Sequence, residues 1–349
     1  MKLADGRTLI VIGENIHTTR VVLRKGRRFV DDGARQGVRY TGNDGAERLL
    51  PVPDWAKRGQ DYQEGRVKHV MIAVRAAMAG AGAEAAQGMD YIARMVSDLE
   101  GAGADYLDLN VDEISIKLAD QKAAIAWLVR TVQSLTALPL SVDSSNLEVI
   151  EAGLAACDGA RARPLLNSAS LERIDALDLA AAAGAQVVVT AAGDSGMPDG
   201  VAQRLDNASR MVEAARAKGF ALSDIFIDPL LFPVSVDTVY GPHGLDAIRA
   251  LRARFGPDIH ITGGMSNVSF GIPARKVINE VFLLLALEAG ADSGIIDPVA
   301  SPPQALLAID RSSPSYKLAE DVLLDRDKHC RSFIRAWRKG ELAPLAAGA

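Results

Sequence analysis

The chain reads as an α/β protein whose best-fitting class is a (β/α)8 barrel carrying a long insertion after strand 1. Three observations predict this. Eight short apolar runs are spaced by helical stretches. The runs are rich in Val, Ile and Leu and lack strict alternation, as strands buried on both faces do. Gly-Ala pairs (Gly103-Ala104, Gly184-Ala185 and Gly290-Ala291) stand where a helix would close before the next strand.

Taken in order, strands are expected at Leu9–Gly13, Asp105–Asn110, Leu138–Asp143, Pro164–Asn167, Gln186–Ala191, Ile225–Asp228, Ile259–Thr262 and Ser293–Asp297. Helices are expected where apolar residues recur every three or four positions. Met89, Ile92, Met95, Val96 and Leu99 do so, as do Val277, Val281, Leu284 and Leu285. A doubly wound open sheet is the alternative. It would want a Gly-rich phosphate turn after its first strand, and Gly13-Glu14-Asn15-Ile16-His17 is not one.

Residues 20–68 are far longer than an ordinary βα loop. They hold 12 Lys and Arg against 7 Asp and Glu, a surplus of positive charge in a chain whose net charge is −5. A basic hairpin or lid over the barrel mouth is expected there. Pro302 to Lys339 is expected to be helical and covering. The single domain then spans 1–340, and the Ala-rich residues 341–349 are expected to be a flexible tail.

The composition removes several classes. The 349 residues are 48% hydrophobic and 24% charged, ordinary values for a soluble globular protein. The acidic balance argues against a nucleic-acid partner. Two cysteines, Cys157 and Cys330, are too few for a disulfide framework or a Cys-rich zinc site, and no metal centre is expected. No apolar run is long enough to span a bilayer, and Met1 to Arg7 do not resemble a signal peptide, so no membrane association and a cytoplasmic location are expected.

Active sites of such barrels sit at the C-terminal ends of the strands. Polar residues recur there: Glu14 and Asn15, Asp108 and Asn110, Asp143, Asn167, Asp228, Asn267 and Asp297. Any one of them alone could simply start a turn or cap a helix. As a set they make a ring of hydrogen-bonding groups. A pterin suits such a ring, because its 2-amino group and adjacent ring N–H form a flat donor pair that one carboxylate accepts together. An amide can answer the mixed donor–acceptor edge.

Six strings occur in order: Ile12-Gly13-Glu14-Asn15-Ile16, Leu107-Asp108-Leu109-Asn110-Val111, Leu140-Ser141-Val142-Asp143-Ser144-Ser145-Asn146, Leu166-Asn167-Ser168, Ile227-Asp228-Pro229 and Gly264-Met265-Ser266-Asn267-Val268-Ser269. Together they resemble the pterin-binding methyltransferases. That family includes the methyltetrahydrofolate:corrinoid methyltransferases and the folate domain of cobalamin-dependent methionine synthase. Dihydropteroate synthase is a wider relation. The resemblance covers roughly residues 8–18 and 84–300 and is most specific at Gly264–Ser269.

The resemblance implies methyl transfer between N5 of (methyl)tetrahydrofolate and the cobalt of a corrinoid, in either direction. It makes Asp143, Asn167 and Asp228 the pterin ligands, with Asn110, Glu14, Asn15 and Ser266 lining the site. Asn267 would lie near N5, and Asp108 is a candidate proton relay to it. No Asp-x-His-x-x-Gly corrinoid string is present, so the cobalamin is expected on a separate protein. A homodimer is also expected. Asp112 departs from the family, which more usually has Gly there. Two other readings stay open: a dihydropteroate synthase-like enzyme and a non-catalytic folate carrier. Against the first, the Lys and Arg that would clamp pyrophosphate are missing after strands seven and eight.

Overall fold

The computed structural model describes residues 2, 6–33, 35–194 and 196–345. There are thirteen strands among them: β1 Ile10–His17, β2 Val22–Leu23, β3 Phe29–Asp31, β4 Gln36–Thr41, β5 Glu47–Pro51, β6 Arg66–Val67, β7 Tyr106–Asn110, β8 Leu140–Asp143, β9 Leu165–Ala169, β10 Gln186–Thr190, β11 Ile225–Asp228, β12 His260–Ile261 and β13 Ser293–Ile296. Two helical turns, α1 Asp54–Lys57 and α2 Gln60–Gln63, lie in the insertion. They are followed by α3 His69–Met78, α4 Gly82–Gly101, α5 Leu118–Leu135, α6 Leu147–Ala156, α7 Ala176–Ala182, α8 Val201–Ala217, α9 Tyr240–Phe255 and α10 Arg275–Ala289. Helices α11 Pro303–Leu306, α12 Pro314–Leu323 and α13 Arg331–Arg338 close the chain.

Eight strands form one sheet in the order β12-β11-β10-β9-β8-β7-β1-β13. β13 pairs in parallel with β1, and a parallel bridge between Gly264 and Ile295 links it back to the segment after β12. This is the (β/α)8 barrel. Val187, Val188 and Val189 on β10 and Ile225, Phe226 and Ile227 on β11 are all sealed from solvent. Consecutive residues point to opposite faces of a strand, so both faces are covered and the missing alternation is explained.

By internal packing the chain divides into two compact units: residues 1–13, 102–105 and 165–349, and residues 14–101 and 106–164. In the second, Leu107 and Leu109 of β7 lie in a core with Ile92, Leu99, Ile125 and Leu128, all fully buried. Truncating one such Leu to Ala typically costs about 2–5 kcal/mol. Gly88 lets α4 meet α3, since a Cβ there would fall 2.6 Å from the Ala73 carbonyl oxygen. In the first unit, Asp327 caps α13 by accepting from the N–H groups of Ser332 and Phe333.

Most strand bounds lie within two residues of expectation, and two strands differ in a way that matters for the site. β1 continues past Gly13 to His17, because Ile12, Ile16 and the alternating Asn15 and His17 sustain an extended run. β12 is only two residues long, since Gly263 turns the chain at φ +150° immediately after Thr262.

The 20–68 insertion folds as an antiparallel sheet of three strands, β3–β4–β5, and a separate β2–β6 pair. The three-stranded part is tied to α4. Tyr40 donates to Asp90 at 2.8 Å, and Arg28 donates to the Tyr91 hydroxyl at 2.7 Å. That hydroxyl also meets His69 Nδ1 of α3 at 2.8 Å. Burial holds His69 down at a pKa of about 3, so the ring that shares this bond with Tyr91 is neutral. Within the expected tail, Leu345 is buried and Ala343 N–H donates to Ser315 Oγ, whereas residues 346–349 lie outside the described residues.

Candidate active site

In the unit holding β7 and β8, four polar side chains meet where strands end. Asp108 and Asn110 lie two apart on β7, so they share one face of the strand. His17 Nε2 lies 2.9 Å from Asp108 Oδ2, with the carboxylate fully buried. Asn110 Nδ2 donates to Asp143 Oδ2 at 2.8 Å across the β7–β8 pair, where the two residues are in register. His17, Asp108 and Asp143 thus offer ligand atoms all within 4.8 Å of one another. A shared proton or a cation would fit that spacing. The hydrogen bond already joining His17 to Asp108 favours the proton.

The electrostatics follow from this crowding. Burial pulls the His17 pKa down, but the bond to Asp108 and its charge, then the charges of Asp143 and Glu14, outweigh it and raise the value. Burial pushes Asp143 up to about 7, and the charge of Asp108 adds to the effect; His17 and the Asn110 bond oppose it. The cluster therefore holds protons near neutral pH, as acid–base groups at functional sites do.

Asp112 has a definite task. Its carboxylate accepts from the Ser144 hydroxyl, the Ser145 hydroxyl at 2.8 Å and the Ser145 N–H at 2.9 Å. It locks the loop after β7 to the turn after β8, which Asn146 then ends by capping α6 through Glu148 N–H. A Gly at 112 could make none of these bonds. Glu14 and Asn15 are part-buried on β1, and Glu14 is approached by Arg20 at 3.4 Å.

In the other unit, Asp228 ends β11. Its Oδ1 accepts from Leu230 N–H at 2.7 Å, and Gly264 N–H also bonds the carboxylate. Burial nevertheless lifts its pKa to about 6, against those two N–H groups and the nearby charge of Arg204. Gly263 suits this place, since its φ of +150° strains an L residue and a Cβ would crowd Asp228 Oδ1 at 3.1 Å. Arg204 of α8 is fully buried behind this turn. It donates to the Pro229 carbonyl at 2.9 Å and lies over the Phe232 ring at 4.7 Å.

Asn167 is buried on β9 beside a register skip: Val188 faces Asn167, and Val189 faces Ala169. Such irregularities re-aim side chains near active sites. Asn267 lies exposed in the short 3-10 turn Met265–Ser269, its amide packed over Gly264. Ser266 offers its carbonyl to Arg275 at 2.8 Å. Asp297 accepts from Ala300 N–H at 2.9 Å, the bond of an ordinary turn.

Sequence reasoning passed over His17 and Arg204. His17 carries a faint signal, standing two residues beyond Asn15 on a continuing strand. Arg204 carries none, because its partners are backbone carbonyls, those of Pro229 and Leu230 lying some 25 residues away.

Residues 78–297 match the profile of the family described as pterin binding enzyme. The chain belongs to that family. The match begins after the 20–68 segment and after β1. Methylcorrinoid:tetrahydrofolate methyltransferase of Eubacterium limosum is 31% identical over 255 residues, spanning 70% of this chain and 86% of that protein. Methionine synthase of Mycobacterium leprae is 33% identical over 249 residues, 66% of this chain but only 20% of that much longer protein. Among solved structures, dihydropteroate synthase from Xanthomonas albilineans with 7,8-dihydropteroate superposes with a TM-score of 0.51 at 24% identity, over 65% of this chain and 85% of that one. At that identity the likeness speaks for the barrel alone. Among the described residues, no helix of this pterin-binding enzyme is long and apolar enough to cross a membrane.

Proposed function

We propose that this enzyme moves a methyl group between N5 of tetrahydrofolate and the cobalt of a corrinoid carried by a separate protein. The observation that carries the reading is the similarity to a methylcorrinoid:tetrahydrofolate methyltransferase along 86% of that protein's length. The family match over residues 78–297 contains the Asp108, Asn110, Asp143, Asn167, Asp228 and Asn267 series.

In this reading the carboxylates of Asp143 and Asp228, with the amides of Asn110 and Asn167, bind the pterin ring. Glu14, Asn15 and Ser266 line the same ligand. A tertiary amine leaves poorly unless its nitrogen gains a proton. When the methyl carbon passes from N5 to cobalt, the C–N electron pair returns to nitrogen, which keeps the proton as N–H. Asn267 can accept a hydrogen bond from the protonated N5 and so favours the charge that builds there. It has no proton to give. Asp108 does the relaying, recharged by His17 at 2.9 Å. In the reverse direction the same pair accepts the proton. The corrinoid supplies the nucleophile, so none is asked of the protein.

Calorimetric titration with methyltetrahydrofolate tests the first half of this reading. Binding with a ratio of one per chain is expected. A folded protein that binds neither methyltetrahydrofolate nor tetrahydrofolate contradicts it.

A further inference from the structure

A cavity of about 680 Å3 lies where the insertion meets the loop after β7, outside the Asp and Asn series. Trp55, Met71 and Ile114 give it an apolar wall, and Arg66, Lys68 and Arg75 bring cations to it. Its size suits a small-molecule segment rather than a protein surface.

The cations are not equivalent. Arg66 is matched by Asp61 and Glu64, and Lys68 by Asp61 and Glu113. Arg75 has no carboxylate partner among the described residues. Its guanidinium donates to the Ile114 carbonyl and lies 4.4 Å from the centre of the Trp55 ring. A flat cation held on an aromatic face is ready to take a carboxylate in a forked pair. Ile116 is fully exposed at the rim, an apolar residue with nothing to cover it.

The cavity wall joins directly to the proposed pterin floor. Asp112 N–H donates to Asn110 Oδ1 at 2.9 Å, and Asn110 in turn donates to Asp143. Glu113 N–H donates to Thr18 Oγ1, and Thr18 N–H to the Asn110 carbonyl. A ligand whose ring rests on Asn110 and Asp143 would have its substituent beside this loop. On folate that substituent is a flat aminobenzoyl group ending in glutamate, with two carboxylates. An aromatic and apolar wall followed by an unmatched arginine answers that chemistry part by part.

We propose that this cavity is a site for the aminobenzoyl-glutamate tail of the folate, with Arg75 taking a tail carboxylate and Trp55 flanking the aryl group. The inference rests on the folate reading above. It assigns a substrate-selecting role to the inserted segment, which lies outside the family match.

The test is titration of the full chain with two ligands: methyltetrahydrofolate, and a tailless N5-methyl tetrahydropterin bearing only a methyl group at C6. Arg75→Gln keeps an N–H for the Ile114 carbonyl and removes the charge. Trp55→Ala removes the aromatic face. Wild type is expected to prefer the folate by about tenfold or more, the scale of one charge-assisted bond. Both variants should shrink that preference and leave tailless affinity within about threefold. The proposal is overturned by equal affinity for both ligands in wild type, by a preference that survives both substitutions, or by equal loss for both ligands. Strong tailless binding without preference removes only the tail site. No binding of either ligand by wild type removes the folate reading as well.

Discussion

His17 Nε2 sits 2.9 Å from Asp108 Oδ2, joining an imidazole near the end of β1 to a fully buried carboxylate on β7. The hydrogen bond to this carboxylate and its charge make the ring more basic than a free histidine. A proton held on the ring is therefore at hand for Asp108.

His17→Gln should therefore slow methyl transfer by about a hundredfold, the lower range of general acid–base contributions. Folate affinity should stay within about threefold, because a neutral donor still faces Asp108. Steady-state rates beside calorimetric affinities check this. A histidine with a raised folded pKa stabilises most below its ordinary value of 6.5, and loses that contribution as pH rises through the folded value. The gap in thermal stability between wild type and variant should accordingly be widest in mild acid. A gap that widens towards pH 9 would contradict the assignment.

Asp228→Ala should weaken binding of tetrahydrofolate by about tenfold to a hundredfold, since each charge-assisted bond is worth about 1.5–3 kcal/mol. The Leu230 and Gly264 N–H groups also lose their acceptor, so the melting temperature must be measured alongside. Unchanged affinity in a folded variant would remove Asp228 from the site.

Asn267→Ala should separate rate from binding. The side chain is exposed and leaves no buried partner behind. A bond that strengthens only as N5 gains charge predicts a rate loss of about tenfold or more with affinity nearly unchanged. Equal losses in both would make Asn267 a ground-state ligand instead.

Binding should strengthen with pH. Asp143 and Asp228 hold protons up to about 7 and about 6, because burial disfavours their charged forms. The donor pair of a pterin needs the ionised carboxylate, so binding in that window releases protons. Affinity should rise between pH 5.5 and 8, by at most about tenfold per pH unit for each carboxyl that must ionise. In the free enzyme the sign is opposite. These raised carboxyls favour the fold most at low pH, and the contribution fades as pH passes about 6 for Asp228 and about 7 for Asp143. Folate should thus protect against thermal unfolding more at pH 8 than at pH 5.5. Calorimetry in two buffers of different ionisation heat measures the protons released, and a pH-independent affinity would contradict the ligand set.

The barrel was legible because its strands are short apolar runs ending in polar residues, and that same edge marks Asp108, Asn110, Asp143, Asn167 and Asp228. What stayed hidden depends on partners distant in the chain. Gly13 looks like the end of a strand, yet β1 runs on and delivers His17 to Asp108, 91 residues later. Asp112 looks like a family departure until Ser144 and Ser145 are found bonding to it. Asp297 shares the strand-end pattern, and its carboxylate accepts from Ala300 N–H three residues on, as a turn-starting Asp does. The basic character of 20–68 was plain in the composition. Its division into a sheet on α4 and a cavity wall beside Ile114 was not, because both arise from packing against residues beyond it.

The most direct test of the central claim is to mix the enzyme with methyltetrahydrofolate and Co(I) cobalamin and follow the cobalt spectrum. Loss of the Co(I) bands and growth of methylcobalamin, faster with enzyme than without and slowed in Asn267→Ala, is the predicted result. Tight folate binding with no methyl transfer in either direction, to or from free cobalamin or a corrinoid protein, would contradict it.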